Sequence, residues 1–171
     1  MESGRGKPVT SSKIEDHCHR IFPNDLNPCN TLFGGVVMAS LDRIASVIAE
    51  RHSEKHCVTV SCDSIHFLKP AGIGEILIFK GAVNRTWRTS LEIGIKVYAN
   101  RYTNNKNTHI VSAYFTFVAL GDNGKPTPIP TVIPESKDEK RRYEEADHRR
   151  TLRRKTAEAL RKRDEEEEGE S

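Results

Sequence analysis

The chain has 171 residues, of which 36% are hydrophobic and 30% are charged, and its formal net charge is +3. That length accommodates one domain and an appendage. No apolar run approaches the roughly 18 residues of a membrane-spanning helix, and the first twelve residues lack the apolar segment of a signal peptide. We therefore expect a soluble protein of the cytoplasm.

Charge is unevenly distributed along the chain. Residues 1–136 hold 15 basic and 12 acidic side chains, whereas residues 137–163 hold 12 basic and 6 acidic ones. Residues 164–171 add six acids and no base. Because such charge blocks are typical of solvated or loosely docked extensions, the sequence predicts four parts: a flexible N-terminus (1–11), a folded domain (12–134), a charged helical extension (135–163) and a disordered acidic tail (164–171).

Four cysteines and seven histidines raise the question of a metal site. The cysteines form no Cys-x-x-Cys pair, and no zinc-ligand spacing emerges from the histidines. The segment His17-Cys18-His19 fits a strand, with both histidines on one face, better than it fits a metal cluster. We expect reduced cysteines, no bound metal and no cofactor.

The most informative segment is a polar loop that leads into a glycine pair and a long apolar helix, Asn27-Pro28-Cys29-Asn30-Thr31-Leu32-Phe33-Gly34-Gly35 and onward. Apolar residues at positions 37, 41, 44 and 48 recur at helical spacing. Bare N–H groups at a helix start, aided by the helix dipole, suit an oxygen that becomes negative during a reaction. Asp42 follows on the border of the apolar face as a candidate base, although a solvated carboxylate would give the same pattern.

The segment after the helix alternates in polarity as a strand does. Val58, Val60 and Cys62 are predicted to share one face. After Cys62 the alternation of apolar and polar residues shifts by one position, so that Ile65 continues the apolar face. Such a shift indicates a β-bulge near Asp63-Ser64.

Three further strands complete the predicted sheet. Residues 76–83 are predicted to form a strand that is buried on both faces. Residues 91–97 are predicted to form a half-buried strand, and residues 109–120 the last long strand. Polar connections are predicted at 84–89 and 102–108. With a strand near His17, this order predicts an α+β fold in which an antiparallel β-sheet wraps around the central α-helix. The open edge of such a sheet argues for a homo-oligomer.

Three separated segments resemble hotdog-fold acyl-CoA thioesterases, in particular the YciA-like bacterial enzymes and the brain acyl-CoA hydrolase. They are residues 27–42, residues 58–70 (VTVSCDSIHFLKP) and residues 88–97 (RTSLEIGIKV), in the family's order and spacing. The resemblance covers residues 12 to about 150. It implies a hotdog fold, hydrolysis of fatty acyl-CoA, and assembly as a dimer or a trimer of dimers with shared active sites.

By that resemblance, Asn27 and Asp42 match the catalytic pair, whose members come from opposite subunits in this family. Asp42 would activate water as the general base, an N–H near Gly35 would bind the carbonyl oxygen, and Asn27 would orient the water or the thioester. Phe33 stands where some relatives carry His, so a His-assisted step is in doubt. On the residues alone, an Asx turn before Pro28 is the simpler account of Asn27.

Coenzyme A carries a diphosphate and a 3′-phosphate, so cations are expected near the mouth of its cleft. Arg88, Thr89 and Ser90 combine a guanidinium, two hydroxyls and N–H groups at a turn into a strand, which suits a phosphate. Lys69, at a strand end, is a weaker candidate for binding the same substrate. A solvated turn charge would explain each of these residues equally well.

Two functions from different classes remain open. One is an acyl-CoA hydrolase. The other is a non-catalytic hotdog sensor that binds acyl-CoA and contacts nucleic acid through the basic residues 140–163, although no aromatic interleaving accompanies those charges. A hotdog dehydratase would need a histidine near the loop–helix junction, and the sequence has none between His19 and His52.

Overall fold

The computed structural model describes residues 6–101 and 106–169. It confirms the predicted α+β plan, in which an antiparallel sheet wraps around a long helix. In chain order the elements are β1 (Lys7–Pro8), β2 (Ile14–Arg20), α1 (Gly34–Ser53), β3 (His56–Phe67), β4 (Ile76–Thr86), β5 (Ser90–Asn100), β6 (Asn107–Leu120), β7 (Val132–Ile133) and α2 (Lys137–Gly169).

Five strands form a single antiparallel sheet in the order β2-β4-β5-β6-β3. The short strands β1 and β7 form a separate parallel pair. Helix α1 packs on one face of the large sheet, which we call the inner face, and α2 lies on the opposite, outer face. Among the described strands, β2 and β3 have a neighbour on one side only, so they are the edges of the sheet.

Helix α1 is the centre of the hydrophobic core. Leu41, Ala45 and Ile48 are completely buried, as their helical spacing predicts. Burying a Leu or Ile side chain contributes roughly 2 kcal/mol, so this face holds α1 against the sheet. The helix ends at Glu54, which adopts a left-handed conformation (φ 56°) and donates its N–H to the Glu50 carbonyl at 2.8 Å.

Strand β3 contains two bulges, and the sequence predicted one of them. The pairing with β6 shifts between Cys62 and Ser64, where the phase slip indicated it, and again between Thr59 and Ser61. Each extra residue turns the side chains that follow to the other face of the sheet. The predicted common face of Val58 and Cys62 is therefore wrong, and Thr59 takes the inner face toward α1.

Strands β4 and β5 also differ from the prediction. Residues 84–86 continue β4, so the connection predicted at 84–89 is a shorter turn at residues 87–89. Strand β5 was predicted to be half-buried, with Glu92 on its solvent side. Glu92 is completely buried instead, because α2 covers the outer face of the sheet at this point.

Helix α2 docks on the sheet through arginines. Arg149 pairs with the buried Glu92, with 2.7 Å between Nη2 and Oε1, and its guanidinium lies 3.9 Å from the ring centroid of Tyr114. One turn later, Arg153 forms an ion pair with Asp63 of β3. A buried carboxylate needs such a partner, since leaving it uncompensated typically costs about 3–5 kcal/mol.

The amide of Asn84 completes the surroundings of that buried carboxylate. Its Nδ2 donates to Glu92 Oε1 at 3.0 Å. A glycine at position 94 leaves room for it, since a Cβ there would lie 2.6 Å from Asn84 Nδ2. The small residue in β5 therefore allows the polar cluster beneath α2 to form.

The chain ends extend the ordered structure beyond the predicted domain bounds. Residues 7 and 8, predicted to lie in a flexible N-terminus, pair with β7, and Val9 is buried. Helix α2 continues to Gly169, so the segment predicted to be a disordered acidic tail is helical up to that residue. Residues 1–5, 170–171 and the part of the predicted turn at 102–105 lie outside the described residues.

His52, in the last turn of α1, is a buried titratable group. Its ring is completely buried, and its Nε2 lies 3.2 Å from the Pro130 carbonyl oxygen. Burial lowers the pKa of His52 below its ordinary value, and the nearby Lys7 charge acts in the same direction. The folded protein therefore holds this imidazole in its neutral form.

We expect acid to destabilise the fold through His52. The unfolded chain takes up a proton as the pH falls below about 6.5, whereas the folded chain resists it, so stability is lost below that pH at up to about 1.4 kcal/mol per pH unit. Urea unfolding at pH 7, 6 and 5 should show this loss, and His52→Gln should reduce the slope. His56→Gln, which alters an exposed ring, is the matched control. An unchanged slope in His52→Gln would contradict the assignment.

Candidate active site

The start of α1 offers unpaired backbone donors. Phe33 precedes the helix and provides no side-chain cap. Among the residues that the structure describes, the N–H groups of Gly34 and Gly35 have no hydrogen-bond acceptor. The aromatic ring of Phe33 lies against Gly35, where an added Cβ would be 2.5 Å from its Cε1 atom. Glycine at this position therefore lets an aromatic ring lie against the helix start beside two free donors.

Asp42 lies on the same side of α1 as Gly35. The two residues are seven positions apart, which is two helical turns or about 10 Å along the axis. The Asp42 side chain is half-buried, and its Oδ1 accepts a hydrogen bond of 2.7 Å from Thr59 Oγ1 of β3. In the described part of the chain its second oxygen has no partner. The structure thus fixes the carboxylate by one oxygen and leaves the other free to accept a proton.

Cys62 follows Thr59 on the inner face of β3, close enough to Asp42 to feel its charge, and is a candidate nucleophile. Local burial of the thiol, together with the carboxylates of Asp63 and Asp42, raises the pKa of Cys62. A thiol with a raised pKa stays protonated near neutral pH and is a poor nucleophile. The carboxylate of Asp42 is therefore the better candidate for chemistry at this position.

The Asn27 side chain is occupied by its own loop. Its Oδ1 accepts hydrogen bonds from the N–H groups of Cys29 (2.9 Å) and Thr31 (3.2 Å), and its Nδ2 donates to Thr31 Oγ1 at 2.8 Å. This is the Asx turn that the residues alone suggested. One Nδ2 hydrogen remains available to a ligand. In the described residues of one chain, no hydrogen bond joins Asn27 to Asp42.

The turn between β4 and β5 has the features of an anion site. The Trp87 N–H donates to the Ser90 carbonyl at 2.7 Å, and the carbonyls of Arg88 and Thr89 accept bonds from neighbouring backbone segments. Within residues 6–101 and 106–169, the N–H groups of Arg88 and Thr89 have no acceptor, and neither has the exposed Arg88 guanidinium. The turn therefore directs unpaired donors outward.

This turn lies level with Thr59 but on the other face of the sheet. Ser90 and Val58 both pair with Val118 of β6. Two strand spacings, or about 10 Å, therefore separate Ser90 from Val58, the residue before Thr59. Ser90 faces outward with α2, whereas Asp42 lies on the inner side. One chain does not bring the β4–β5 turn, the predicted phosphate site, and the candidate base together.

Lys69 lies at the opposite end of the sheet. Phe67, near Lys69, pairs with Val111 of β6, whereas Ser90 pairs with Val118 of β6. Val111 and Val118 are seven positions, or about 23 Å, apart along the strand. Lys69 is exposed and borders an apolar cavity of about 310 Å³ beside the start of α1. The other residues that line this cavity are Leu32, Val37, Phe67, Leu68, Pro70, Ala71, Ile110 and Val111. The predicted coenzyme A-binding residues thus form two separate groups in one chain.

Thr59 is the site residue that the sequence analysis missed. The alternation from Val58 onward placed Thr59 on the outer face, because the bulge between Thr59 and Ser61 left no signal in the apolar pattern. The threonine itself was the available clue, since its hydroxyl can donate to a polar partner on the neighbouring helix.

No three His, Cys, Asp or Glu side chains in residues 6–101 and 106–169 are grouped as metal ligands. In the same part of the chain, no helix is both long and apolar enough to cross a membrane.

Comparison with known proteins gives a consistent family. The family model of the thioesterase superfamily matches residues 30–101. An uncharacterised acyl-CoA thioester hydrolase of Bacillus subtilis is 38% identical over 139 residues, which are 81% of this chain and 80% of that protein.

Solved structures agree with these relatives. The acyl-CoA hydrolase of Staphylococcus aureus, in complex with butyryl coenzyme A, coenzyme A and coenzyme A disulfide, matches with a TM-score of 0.84 and 38% identity over 92% of this chain and 94% of that one. An apo-hexameric acyl-CoA thioesterase matches with a TM-score of 0.86 and 37% identity over 90% of this chain and 97% of that one. Variants of the S. aureus enzyme that carry alanine in place of an Asp, an Asn or a Thr have also been solved.

Proposed function

Because this chain belongs to the thioesterase superfamily, we propose that it hydrolyses fatty acyl-CoA to a free fatty acid and coenzyme A. The observation that carries this proposal is the hydrogen bond of 2.7 Å from Thr59 to Asp42. It holds a half-buried carboxylate in place, two turns from the free N–H groups at the start of α1. The relatives named as acyl-CoA hydrolases support the same reaction.

Asp42 is the general base in this mechanism. Its free oxygen takes a proton from a water molecule, whose oxygen attacks the thioester carbonyl carbon to form a tetrahedral intermediate. The carbon–sulfur bond then breaks, and the coenzyme A thiolate leaves with the bonding electron pair. The proton held by Asp42 returns to that sulfur, so that the products are the carboxylic acid and the thiol.

The start of α1 stabilises the negative carbonyl oxygen. The N–H of Gly35, strengthened by the helix dipole, would donate to this oxygen as it gains charge. A donor of this kind is typically worth about 3 kcal/mol in the transition state. The 10 Å between Gly35 and Asp42 leaves room for a water molecule and the thioester carbonyl between them.

A partner subunit supplies Asn27. No hydrogen bond joins the Asn27 and Asp42 side chains among the described residues of one chain, and the edge strand β3 exposes Val58 and Val60. Phe33 and Phe67, at the start of α1, are also more than half exposed. These apolar surfaces suit a second copy that brings its own loop to the site, as a dimer or a trimer of dimers.

The substrate binds through its two ends. The turn at Arg88, Thr89 and Ser90 offers unpaired donors to the phosphates of coenzyme A. The apolar cavity beside Val37, at the helix start, suits the first carbons of the acyl chain. Lys69, which borders the same cavity, lies too far from the turn to share a phosphate within one chain, so we assign it to phosphates bound by a neighbouring subunit's turn.

The sensor alternative is less favoured by the contacts of α2. Arg149 and Arg153 are engaged by Glu92 and Asp63 of the same chain. A helix that contacts nucleic acid needs its cations free to meet phosphates. These ion pairs hold α2 against the thioesterase domain and leave fewer of its cations for a nucleic acid.

Asp42→Asn should lower kcat for acyl-CoA hydrolysis by about 10²–10⁴-fold, because the general base is lost while the shape of the side chain is kept. Thr59→Val, which removes the hydrogen bond that orients Asp42, should lower kcat by about tenfold. Thiol release, followed colorimetrically, measures both. Glu50→Gln removes a carboxylate from the same helix and should leave kcat unchanged. Near wild-type turnover in Asp42→Asn would exclude Asp42 as the base.

Arg88→Ala should raise KM for acyl-CoA with a smaller effect on kcat, since a phosphate contact binds the ground state and the transition state alike. Steady-state kinetics at several salt concentrations measure the effect, which screening by salt should diminish. Arg43→Ala, a change to an exposed cation on α1, is the control. If KM does not change, Arg88 is only a solvated charge of the turn.

Mixing inactive Asn27→Ala protein with inactive Asp42→Ala protein should restore activity, because one site of each mixed dimer receives both wild-type residues. With random subunit exchange, half of the dimers are mixed and about a quarter of all sites are intact. Mass spectrometry of differently labelled subunits verifies exchange. No recovery despite exchange would mean that each chain carries a complete pair.

A further inference from the structure

Four arginines gather beside the β4–β5 turn, on the outer face of the sheet. The Arg150 guanidinium lies 4.4 Å from the ring centroid of Trp87, the first residue of the turn. Arg154, Arg153 and Arg85 lie close enough to repel it, and the carboxylate of Asp147 offsets this repulsion in part. Burial and this repulsion lower the pKa of Arg150. Like charges at this density are unfavourable unless an anion lies among them.

Two of the four are neutralised within the chain. Arg153 forms an ion pair with Asp63, and Arg85 lies 3.5 Å from Asp147. The other two, at positions 150 and 154, have no hydrogen bond or ion pair in the part of the chain that the structure describes. These two guanidiniums are therefore available to an external anion.

The two available arginines lie on the side of α2 that faces the turn. They are four residues apart, so they are neighbours on one side of the helix. Stacking on Trp87 restricts Arg150 to one orientation, which lowers the entropy lost when it binds. Across from them, the N–H groups of Arg88 and Thr89 are unpaired among the described residues. Two groups of donors thus border one outer-face surface, the α2 arginines and the turn.

We propose that Arg150 and Arg154 bind the 3′-phosphate of the substrate's nucleotide while the turn at Arg88 and Thr89 binds its diphosphate. This inference rests on the proposed function, since the nucleotide is that of coenzyme A. A ligand with two separated phosphate groups matches two separated groups of donors, and guanidinium is the side chain best suited to phosphate. Helix α2 is then part of the substrate site rather than a solvated appendage.

The test compares three thioesters of one acyl chain: dodecanoyl-CoA, dodecanoyl-dephospho-CoA, which lacks the 3′-phosphate, and dodecanoyl-pantetheine, which lacks the nucleotide. Arg150→Gln and Arg154→Gln should each raise KM for dodecanoyl-CoA about three- to tenfold, the range for a guanidinium–phosphate contact that water partly screens. Neither variant should change KM for the other two thioesters, and kcat should stay within about twofold. Wild-type enzyme should itself show a higher KM for the dephospho substrate.

Arg161→Gln is the matched control, because it removes an exposed arginine further along the same helix. It should leave all three KM values unchanged. Thermal unfolding of each variant separates a binding defect from a folding defect, and Arg154, which is exposed, is the safer of the two positions. An unchanged KM for dodecanoyl-CoA, or an equal rise with dodecanoyl-pantetheine, would overturn the proposal.

Direct binding separates this proposal from the proposed function. If the wild-type protein hydrolyses none of the thioesters, calorimetry with adenosine 3′,5′-bisphosphate still tests the site. Binding by wild type that weakens in Arg150→Gln and Arg154→Gln would support the site without the activity. No binding by wild type, or binding of duplex DNA in place of the nucleotide, would overturn it.

Discussion

The burial of one helix in a curved sheet is the constraint on which the rest of this structure depends. The apolar face of α1 must be covered, and five strands are arranged to cover it. That packing decides which positions of α1 stay at the border of the core, and Asp42 is one of them. It also brings Thr59 within hydrogen-bond distance of Asp42, because Thr59 pairs with the buried Phe117 of β6 and so lies on the inner face of the sheet. The geometry of the candidate base therefore follows from core packing.

The same packing leaves the site unfinished in one chain. Asn27 stabilises its own loop, Asp42 lies with Thr59 at an open edge, and the β4–β5 turn faces the other side of the sheet. Each group is held in place by contacts that do not involve the others. A site assembled from such parts needs more than one chain, which separates the stability of the fold from the assembly of the site.

The sequence predicted the elements whose signal is local. Periodicity indicated α1 and the long strands, and the phase slip indicated the bulge near Asp63. The bulge after Thr59 was missed because the flanking valines hide the change of face. The docking of α2 was left open, because a charged extension with few apolar residues fits a solvated helix or a loosely docked one. The docking depends on ion pairs such as Arg149–Glu92, which join residues 57 positions apart. Hydrophobic periodicity carries no information about such pairs, and an arginine-rich helix looks the same whether it is solvated or docked.

The Arg149–Glu92 pair also has a consequence for how the chain folds as it is synthesised. All five strands of the large sheet have been synthesised before Arg149 is added, and Glu92 lies in the central strand of that sheet. At roughly 5–20 residues per second, the 57 residues between the two partners take about 3–11 seconds to make. Until Arg149 has been made, Glu92 lacks the cation with which it pairs in the folded chain. The last third of the polypeptide thus determines when the earlier part reaches its final stability.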